Sequence, residues 1–353
     1  MTSLPWSGRK EAVDATRPSP VPGQPATATP APRVGPPNLS LTGTAITLPG
    51  RLLFVADANI WLLERGQLQP ITQDRVSRQP SWSRNGRRIA MVKYWTSGSD
   101  VVVTSDDGGQ QQEITDFTYR EDVRQNYALQ PTWSMDDRGL YFLSQEGSED
   151  TQLWQVTLAD RRRQRFLSHG ESAGGLDHPR LSPDGRLLAV ASFQPGRGES
   201  GHPQIWTYAL PNGPWRQLTA YPGGAYDPEW SPDGRLAFTV RSAEPGRAVG
   251  RHDIWVMRAD GSGAQAITAS GTNRSPCWSP DGAWLAYLSA RTGTFDIWMV
   301  PSPPDSSTNS VSGQSRALNV PGSASPTAPT AVVARQVTQN GALDAVSGLA
   351  WAR

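Results

Sequence analysis

Three short motifs recur six times each at a nearly constant spacing, and repetition at this period leaves few architectures open. The first is Pro-x-Trp-Ser followed by a turn. Its copies occupy residues 80–86, 131–137, 179–185 with Leu181 in the Trp position, 228–234 and 276–282, and a worn sixth copy is Leu349-Ala350-Trp351. The second, Ile-Trp-x-apolar, stands at 60–61, 101–102 as Val-Val, 153–154, 205–206, 254–255 and 297–298. The third, an apolar residue followed by Thr or Ser, stands at 71–72, 114–115, 167–168, 218–219, 267–268 and 337–338. Counted on the Trp column the steps are 51, 48, 49, 48 and 73, and the long last step contains a Ser/Pro-rich stretch, 301–331, that accounts for its excess. Ten of the 14 Trp fall in the first two motif columns, so the repeat dictates where the largest side chains go.

Each repeat divides into four short stretches of β-type sequence, a to d, separated by Gly, Pro and Asp. In the third repeat they are 180–182, 187–191, 204–208 and 216–218. Ser182-Pro183-Asp184-Gly185 between a and b suits a tight hairpin: proline pre-sets φ, Asp bonds the local backbone and Gly accepts φ > 0. No proline falls inside a stretch so defined. Four antiparallel strands at this period are those of a propeller blade. The ends favour a ring over an open solenoid: the chain enters in mid-repeat with b, c and d (51–56, 59–64, 67–72) and closes with a alone (347–353), so one sheet built from both ends hides its edges. The expected fold is all-β, a six-bladed β-propeller of four-stranded antiparallel blades, its ring closed by N-terminal strands b to d plus C-terminal strand a. The complete copies at 228–234 and 276–282 resemble the Pro-x-Trp-Ser-Pro-Asp-Gly consensus of TolB-like six-bladed β-propellers, over roughly residues 50–353. That resemblance implies a cell-envelope or periplasmic setting. The amino-terminal α/β domain of TolB proteins is expected to be missing here.

Outside the repeats, residues 1–49 hold ten of the 31 Pro and a single aromatic, Trp6, a composition that cannot bury enough surface to offset ordering entropy. They read as a disordered tail or tether, and 301–331 as a disordered insertion within the propeller of 50–353. Net charge is +1, from 33 basic and 32 acidic residues, so no global field holds the chain on nucleic acid, and none is expected as a partner. The longest mostly apolar run, 52–63, is broken by Asp57 and Asn59 and is too short for a membrane span. Arg9 and Lys10 have no apolar run behind them, so no signal peptide is expected. Cys277 alone allows no internal disulfide and reads as a small core residue; the four His, at 169, 178, 202 and 252, have no metal-ligand spacing. Neither metal nor cofactor is expected.

Alternating strand direction puts the a-b and c-d turns on one face and the b-c and d-a connections on the other. The turns are short and uniform, whereas the connections at 93–100, 116–130, 192–203 and 241–253 are long and varied. Variable loops on a rigid frame are the usual place for binding, so that face is the expected docking side. Loop 116–130 carries Phe117, Tyr119 and Tyr127 among Arg120, Glu121, Asp122 and Arg124, and aromatic residues beside Arg make good anchors. Residues just ahead of strand a should approach the channel mouth: Arg78, Gln79, Gln130, Asp177, His178, Tyr226, Asp227, Arg274, Ser275 and Ser347. Such a polar ring suits a cation, a small polar ligand or the tip of a peptide. Asp177 and Asp227 are too few carboxylates for calcium. Gly170-Glu171-Ser172-Ala173-Gly174 matches a nucleophile-elbow pattern, but no strand-helix pattern surrounds it, and it reads as a glycine-rich connection. Arg161, Arg162, Arg163 and Arg165 read as a solvated c-d turn.

The sequence therefore points to a non-catalytic, monomeric scaffold that binds a protein or peptide through its loop face and channel mouth. The competing reading is an enzyme, either a hydrolase of lactonase or esterase type using Asp177, His178 and Asp227 at the channel mouth, or a peptidase-associated propeller.

Overall fold

A computed structural model of the chain describes residues 39–42, 48–96, 98–117, 126–146, 150–167, 175–193, 201–242, 250–304 and 333–353. A short edge strand β1 (Ser40–Leu41) precedes β2 (Arg51–Ala56), β3 (Asn59–Glu64) and β4 (Gln67–Pro70). The next repeat supplies β5 (Ser77–Trp82), β6 (Arg88–Trp95), β7 (Gly98–Ser105) and β8 (Gln112–Glu113). Then come β9 (Asn126–Trp133), β10 (Gly139–Ser144), β11 (Gln152–Thr157) and β12 (Arg163–Leu167), followed by β13 (Leu176–Leu181), β14 (Leu187–Ser192), β15 (Gln204–Ala209) and β16 (Trp215–Gln217). The last full sets are β17 (Ala225–Trp230), β18 (Leu236–Ser242), β19 (Arg251–Met257) and β20 (Gln265–Ala266), and β21 (Asn273–Trp278), β22 (Trp284–Ser289), β23 (Asp296–Pro301) and β24 (Arg335–Gln336). Two short strands end the chain, β25 (Thr338–Gln339), paired with β1, and β26 (Ala350–Ala352). Within each set, consecutive strands pair antiparallel, and no α-helix occurs among the described residues. β26 pairs with β2, Trp351 opposite Leu52, so one sheet of order β26-β2-β3-β4 holds strands from both ends of the chain. A short parallel contact of β7 with β9, Gly98 opposite Asn126, joins two neighbouring sets.

The middle strands are apolar without alternation because both of their faces are covered. The described core divides into six clusters, each a seam between consecutive sheets. Leu53 and Ile60 meet Trp82 and Met91, and Ala90 and Val101 meet Trp133 and Phe142. Leu143 and Leu153 meet Leu181 and Val190, and Ala191 and Ile205 meet Trp230 and Phe238. Ile254 and Val256 meet Trp278 and Leu285, while Leu288 and Ile297 of the last sheet meet Leu52 and Phe54 of the first. Each motif Trp thus enters the seam toward the preceding sheet, which is why the divergent third copy still carries an apolar Leu181. Three arginines at or just before the start of second strands stack over the Trp of the following sheet: Arg51 over Trp82 at 4.5 Å, Arg88 over Trp133 at 4.7 Å and Arg235 over Trp278 at 5.0 Å. A planar guanidinium does this better than an ammonium. Cys277 is buried in the last of these sheets, as a small core residue should be.

The first strand of each set begins earlier than its motif suggested. β13 starts at Leu176, and Pro80, Pro131, Pro179, Pro228 and Pro276 all lie within strands, where the sequence reading expected no proline. They are tolerated because the ladder is already interrupted: the register slips between Arg78 and Ser81, Asp177 and Arg180, Tyr226 and Glu229, and Arg274 and Cys277. At such a bulge the missing N–H of proline removes no ladder bond. The residue ahead of each proline is left-handed, with φ of 51° at Gln79, 49° at Gln130, 50° at His178, 52° at Asp227 and 53° at Ser275. At the sixth position Gly348 adopts φ 69° without the Cβ penalty.

The third motif is a clasp. The hydroxyls of Thr72, Thr115, Thr219, Thr268 and Thr338 each accept a third-strand N–H, from Ile60, Val101, Ile205, Ile254 and Ile297, at 2.8–2.9 Å. Four of them donate in turn to Asp100, Gln204, Asp253 or Asp296. Those side chains also accept an N–H from the connection beyond, at Phe117, Tyr221, Gly271 and Gly341. The end of the fourth strand and the entry to the next first strand are thereby fixed.

Candidate functional site

The left-handed residues share one level at the entry of the first strands, and their side chains form a relay from strand to strand. Gln79 Oε1 accepts the Gln130 N–H at 2.8 Å, and Gln130 Oε1 accepts the His178 N–H at 2.6 Å. The Gln130 amide donates to Asp177 Oδ1 at 2.6 Å. The His178 ring lies between two carboxylates, with Nδ1 3.1 Å from Asp177 Oδ2 and Nε2 3.4 Å from Asp227 Oδ1. Asp227 Oδ2 accepts the Thr239 hydroxyl at 2.8 Å and the Ser275 N–H at 3.2 Å, and the Ser275 hydroxyl donates to the Ala345 carbonyl at 2.7 Å. Six of the expected mouth residues are therefore brought together: Gln79, Gln130, Asp177, His178, Asp227 and Ser275. Arg78 joins more loosely, 3.8 Å from Asp344, which also holds the Ser347 hydroxyl at 2.8 Å.

The remaining expected site residues fare differently. Tyr226 donates its hydroxyl to the Gly223 carbonyl at 3.3 Å, a local contact. Arg274 is half-buried, with an Nε that has no partner among the described residues. Tyr127 is a half-buried residue of β9 opposite Ser99. Tyr119, with the rest of loop 118–125, lies outside the described residues, as does the Gly-x-Ser-x-Gly stretch at 170–174. Phe117 is no anchor for a partner: it is buried against Phe142, with centroids 6.4 Å apart, beneath the Arg163 guanidinium. Arg163 is committed to Glu146 and Asp116, at 3.1 and 3.0 Å, whereas Arg162 is exposed as a turn residue should be.

Burial disfavours a charged His178, but Asp177 and Asp227 outweigh it and hold its pKa above the ordinary imidazole range. Burial likewise opposes a charged Asp177, yet the His178 charge and the hydrogen bonds from His178 and Gln130 bring its carboxyl below the usual value. Both ring nitrogens face carboxylates. No hydroxyl or thiol stands among the described partners of His178, so the relay assembles no nucleophile-base pair. Among the described residues no group of three or more His, Cys, Asp or Glu is placed to hold a metal ion.

A cavity of about 420 Å³ opens at the opposite end of the first strands, where they run into the a-b turns. The sequence reading favoured the loop face, whereas this concavity lies on the face of the a-b turns. Its wall is the motif column itself, Trp82, Trp133, Leu181, Trp230, Trp278 and Trp351. Into it project Arg84, Arg180 and Glu229. Arg180 Nε donates to Glu229 Oε2 at 2.7 Å, and Arg84 Nη2 reaches the carbonyls of Leu181 and Ser182, both at 3.4 Å. The Arg84 turn is clamped by Asp137, whose carboxylate accepts the N–H groups of Arg84 at 2.7 Å and Asn85 at 3.0 Å. Burial raises the Glu229 pKa, against the pull of Arg180 and Arg84, and burial lowers that of Arg84 against Glu229 and Asp137.

These three residues were missed, although the repeats carry a signal for them. The position between Pro and Trp holds Ser81, Thr132, Cys277 and Ala350 in four copies but Arg180 and Glu229 in two. The second turn position is Pro183, Pro232 and Pro280 in three copies and Arg84 in the first. A charge intruding in a small-residue or proline column marks a position that the scaffold does not itself require.

Residues 176–346 match the family described as the TolB beta propeller domain. The chain carries a TolB-like β-propeller. It is 36% identical over 102 residues to the Tol-Pal system protein TolB of Anaeromyxobacter dehalogenans, a match covering 28% of this chain and 21% of that protein. It is 26% identical over 206 residues to the uncharacterized peptidase YuxL of Bacillus subtilis, covering 57% of this chain and 28% of that one. The matches thus span only 21% and 28% of the length of these relatives. The propeller superposes on the crystal structure of TolB from Acinetobacter baumannii with a TM-score of 0.58 at 20% identity, over 72% of this chain and 61% of that one. At that identity the likeness is one of fold.

Proposed function

We propose that the chain is a non-catalytic binding propeller of six four-stranded blades closed into a ring, which receives a protein or peptide segment in the cavity at its a-b end. The ring is supported by the seam in which the last sheet packs on the first, and by contacts that run through the inner strands β5, β9, β13, β17, β21 and β26 and back to β5. In this reading Gln79, Gln130, Asp177, His178, Asp227 and Ser275 form an inner belt that ties blade to blade. Residues 1–38 serve as a tether that ends earlier than the expected residue 49, because β1 pairs with β25 and Leu39 and Leu48 are buried in the seam between last and first sheets, and 301–331 is an insertion between β23 and β24.

The observation that carries the binding role is the cavity itself, lined where the Trp-bearing first strands converge and carrying the charged residues Arg84, Arg180, Glu229 and Arg353. That a relative is a Tol-Pal system protein supports a protein partner. A second docking side is favoured by one observation: Trp95, at the tip between β6 and β7 on the loop face, is 42% exposed. No helix among the described residues is long and apolar enough to cross a membrane.

Ser81 lines the cavity beside Trp133 of the next sheet, and Ser81→Trp fills it, with an unchanged melting temperature as the control that the adjoining seam stays intact. Partners captured from an envelope extract by the parent protein should be lost with Ser81→Trp and retained with Trp95→Ala/Tyr127→Ala; the opposite pattern moves the site to the loop face. Turnover of an ester, lactone or peptide that disappears in His178→Ala would replace the binding reading with the hydrolase one.

A further inference from the structure

We infer that the cavity binds a peptide carboxylate, with Arg84 as its anchoring cation. The inference rests on the binding role proposed above and specifies its chemistry. Leaving aside the terminal Arg353, the charged residues lining the cavity are Arg84, Arg180 and Glu229, and the last two neutralise one another at 2.7 Å. Arg84 makes no ion pair among the described residues. Its guanidinium has only two contacts to carbonyls at 3.4 Å, at the far limit of a hydrogen bond. A charged donor fork in this condition matches a carboxylate in geometry and sign.

The placement of Arg84 supports the same conclusion. Three other copies put proline at this turn position, where it pre-organises the hairpin. Here the turn is held by Asp137 from the neighbouring sheet, which fixes the backbone from which the guanidinium extends. Glu229 lies in the same cavity and offers an acceptor for the peptide N–H next to the bound carboxylate, while the Trp and Leu181 wall suits an apolar side chain beside it. The carboxylate belongs to a chain terminus or to an Asp or Glu side chain, two sources that share this chemistry.

The test uses the intact protein, labelled with ¹⁵N, and follows tryptophan indole N–H signals during titration with three peptides. These are acetyl-Ala-Leu-Ala as the free acid, the same peptide as its amide, and acetyl-Ala-Asp-Leu-Ala-amide. The free acid should shift indole signals saturably, and its amide should bind about tenfold more weakly or worse, the factor expected for losing a charged hydrogen bond. Arg84→Ala should weaken the acid by a similar factor with an unchanged melting temperature, and Arg84→Lys should fall between. Equal binding of the internal Asp peptide assigns the source to a side chain; its failure beside a bound free acid assigns it to a chain end. If acid and amide bind alike and both are lost in Ser81→Trp, the carboxylate inference is overturned while the cavity remains a binding site. If no peptide shifts the signals, or Arg84→Ala binds the acid as the parent does, the inference also fails, and partner capture with Ser81→Trp then judges the binding role by itself.

Discussion

His178 shows how one side chain can be polar, half-buried and strained for a structural reason. Its left-handed backbone turns the ring between Asp177 and Asp227, and those carboxylates hold the imidazolium against the cost of burial. Because the folded pKa is raised, this contribution to stability is complete below the free imidazole value of about 6.5 and is lost as pH rises through the folded value. Asp177 works in the other direction: its folded pKa is lowered, so its contribution is present above about 3.9 and is lost as pH falls through the folded value. The exposed turn aspartates Asp136, Asp184 and Asp281, each lowered by a serine hydrogen bond, add to the acid-side loss. His252, lowered by burial and by Arg274 and Arg241, also loses stability toward acid. A His178→Gln variant isolates the alkaline limb. Urea melts across pH 5 to 9 should show a cost of about 1–3 kcal/mol near pH 6, with the decline above pH 6.5 removed. Superimposable pH profiles of parent and variant would refute this account of the belt.

At the scale of elements, the threonine clasp explains why a polar residue recurs at the end of fourth strands that are otherwise short and weakly paired. Thr219 accepts the Ile205 N–H at 2.8 Å and donates to Gln204 at 2.9 Å, in a site closed to solvent. Thr219→Val keeps the shape and strands that N–H, for an expected loss of about 1–3 kcal/mol, and Thr219→Ser should recover most of it. An unshifted urea midpoint for the valine variant would mean that the clasp contributes nothing. A polar column, Asn59, Asp100, Gln152, Gln204, Asp253 and Asp296, is visible in the repeats just ahead of each Ile-Trp pair, and the clasp engages four of its members, Asp100, Gln204, Asp253 and Asp296. Its partner, the connection beyond the threonine, is brought back to it only by folding. The bulged first strands escaped the sequence for a related reason: residues such as Asp177-His178-Pro179 are polar and proline-bearing, and only their approach to the neighbouring inner strands makes them strand.

At the scale of the molecule, the seam between last and first sheets decides whether the proposed ring holds. Leu52, Phe54, Leu288 and Ile297 are fully buried there, and β26 covers the edge of β2 that would otherwise stand open. Trp351 is only partly buried, but its indole donates to the Pro49 carbonyl at 2.7 Å. Trp351→Ala should therefore cost about 2–3 kcal/mol, below the 3–5 kcal/mol of a fully buried Trp. It should also speed amide exchange in β2 more than in β14, and an unchanged melting temperature with uniform exchange would show that the seam does not depend on this strand.

The repeat period, the hairpin turns, the apolar middle strands and the pairing of the two ends were legible in the residues alone, because each set of four strands apart from the one sharing both ends comes from one contiguous stretch of the chain. Its pattern of burial is therefore written locally. The belt and the cavity were not, since their parts come from different repeats: Arg84 and Leu181 are 97 residues apart in sequence. Which face carries a concavity, whether Arg84 in it meets a carboxylate among the described residues and which histidine is trapped between two of them depend on the distance between side chains of separate sheets. Those distances exist only once the seams have packed.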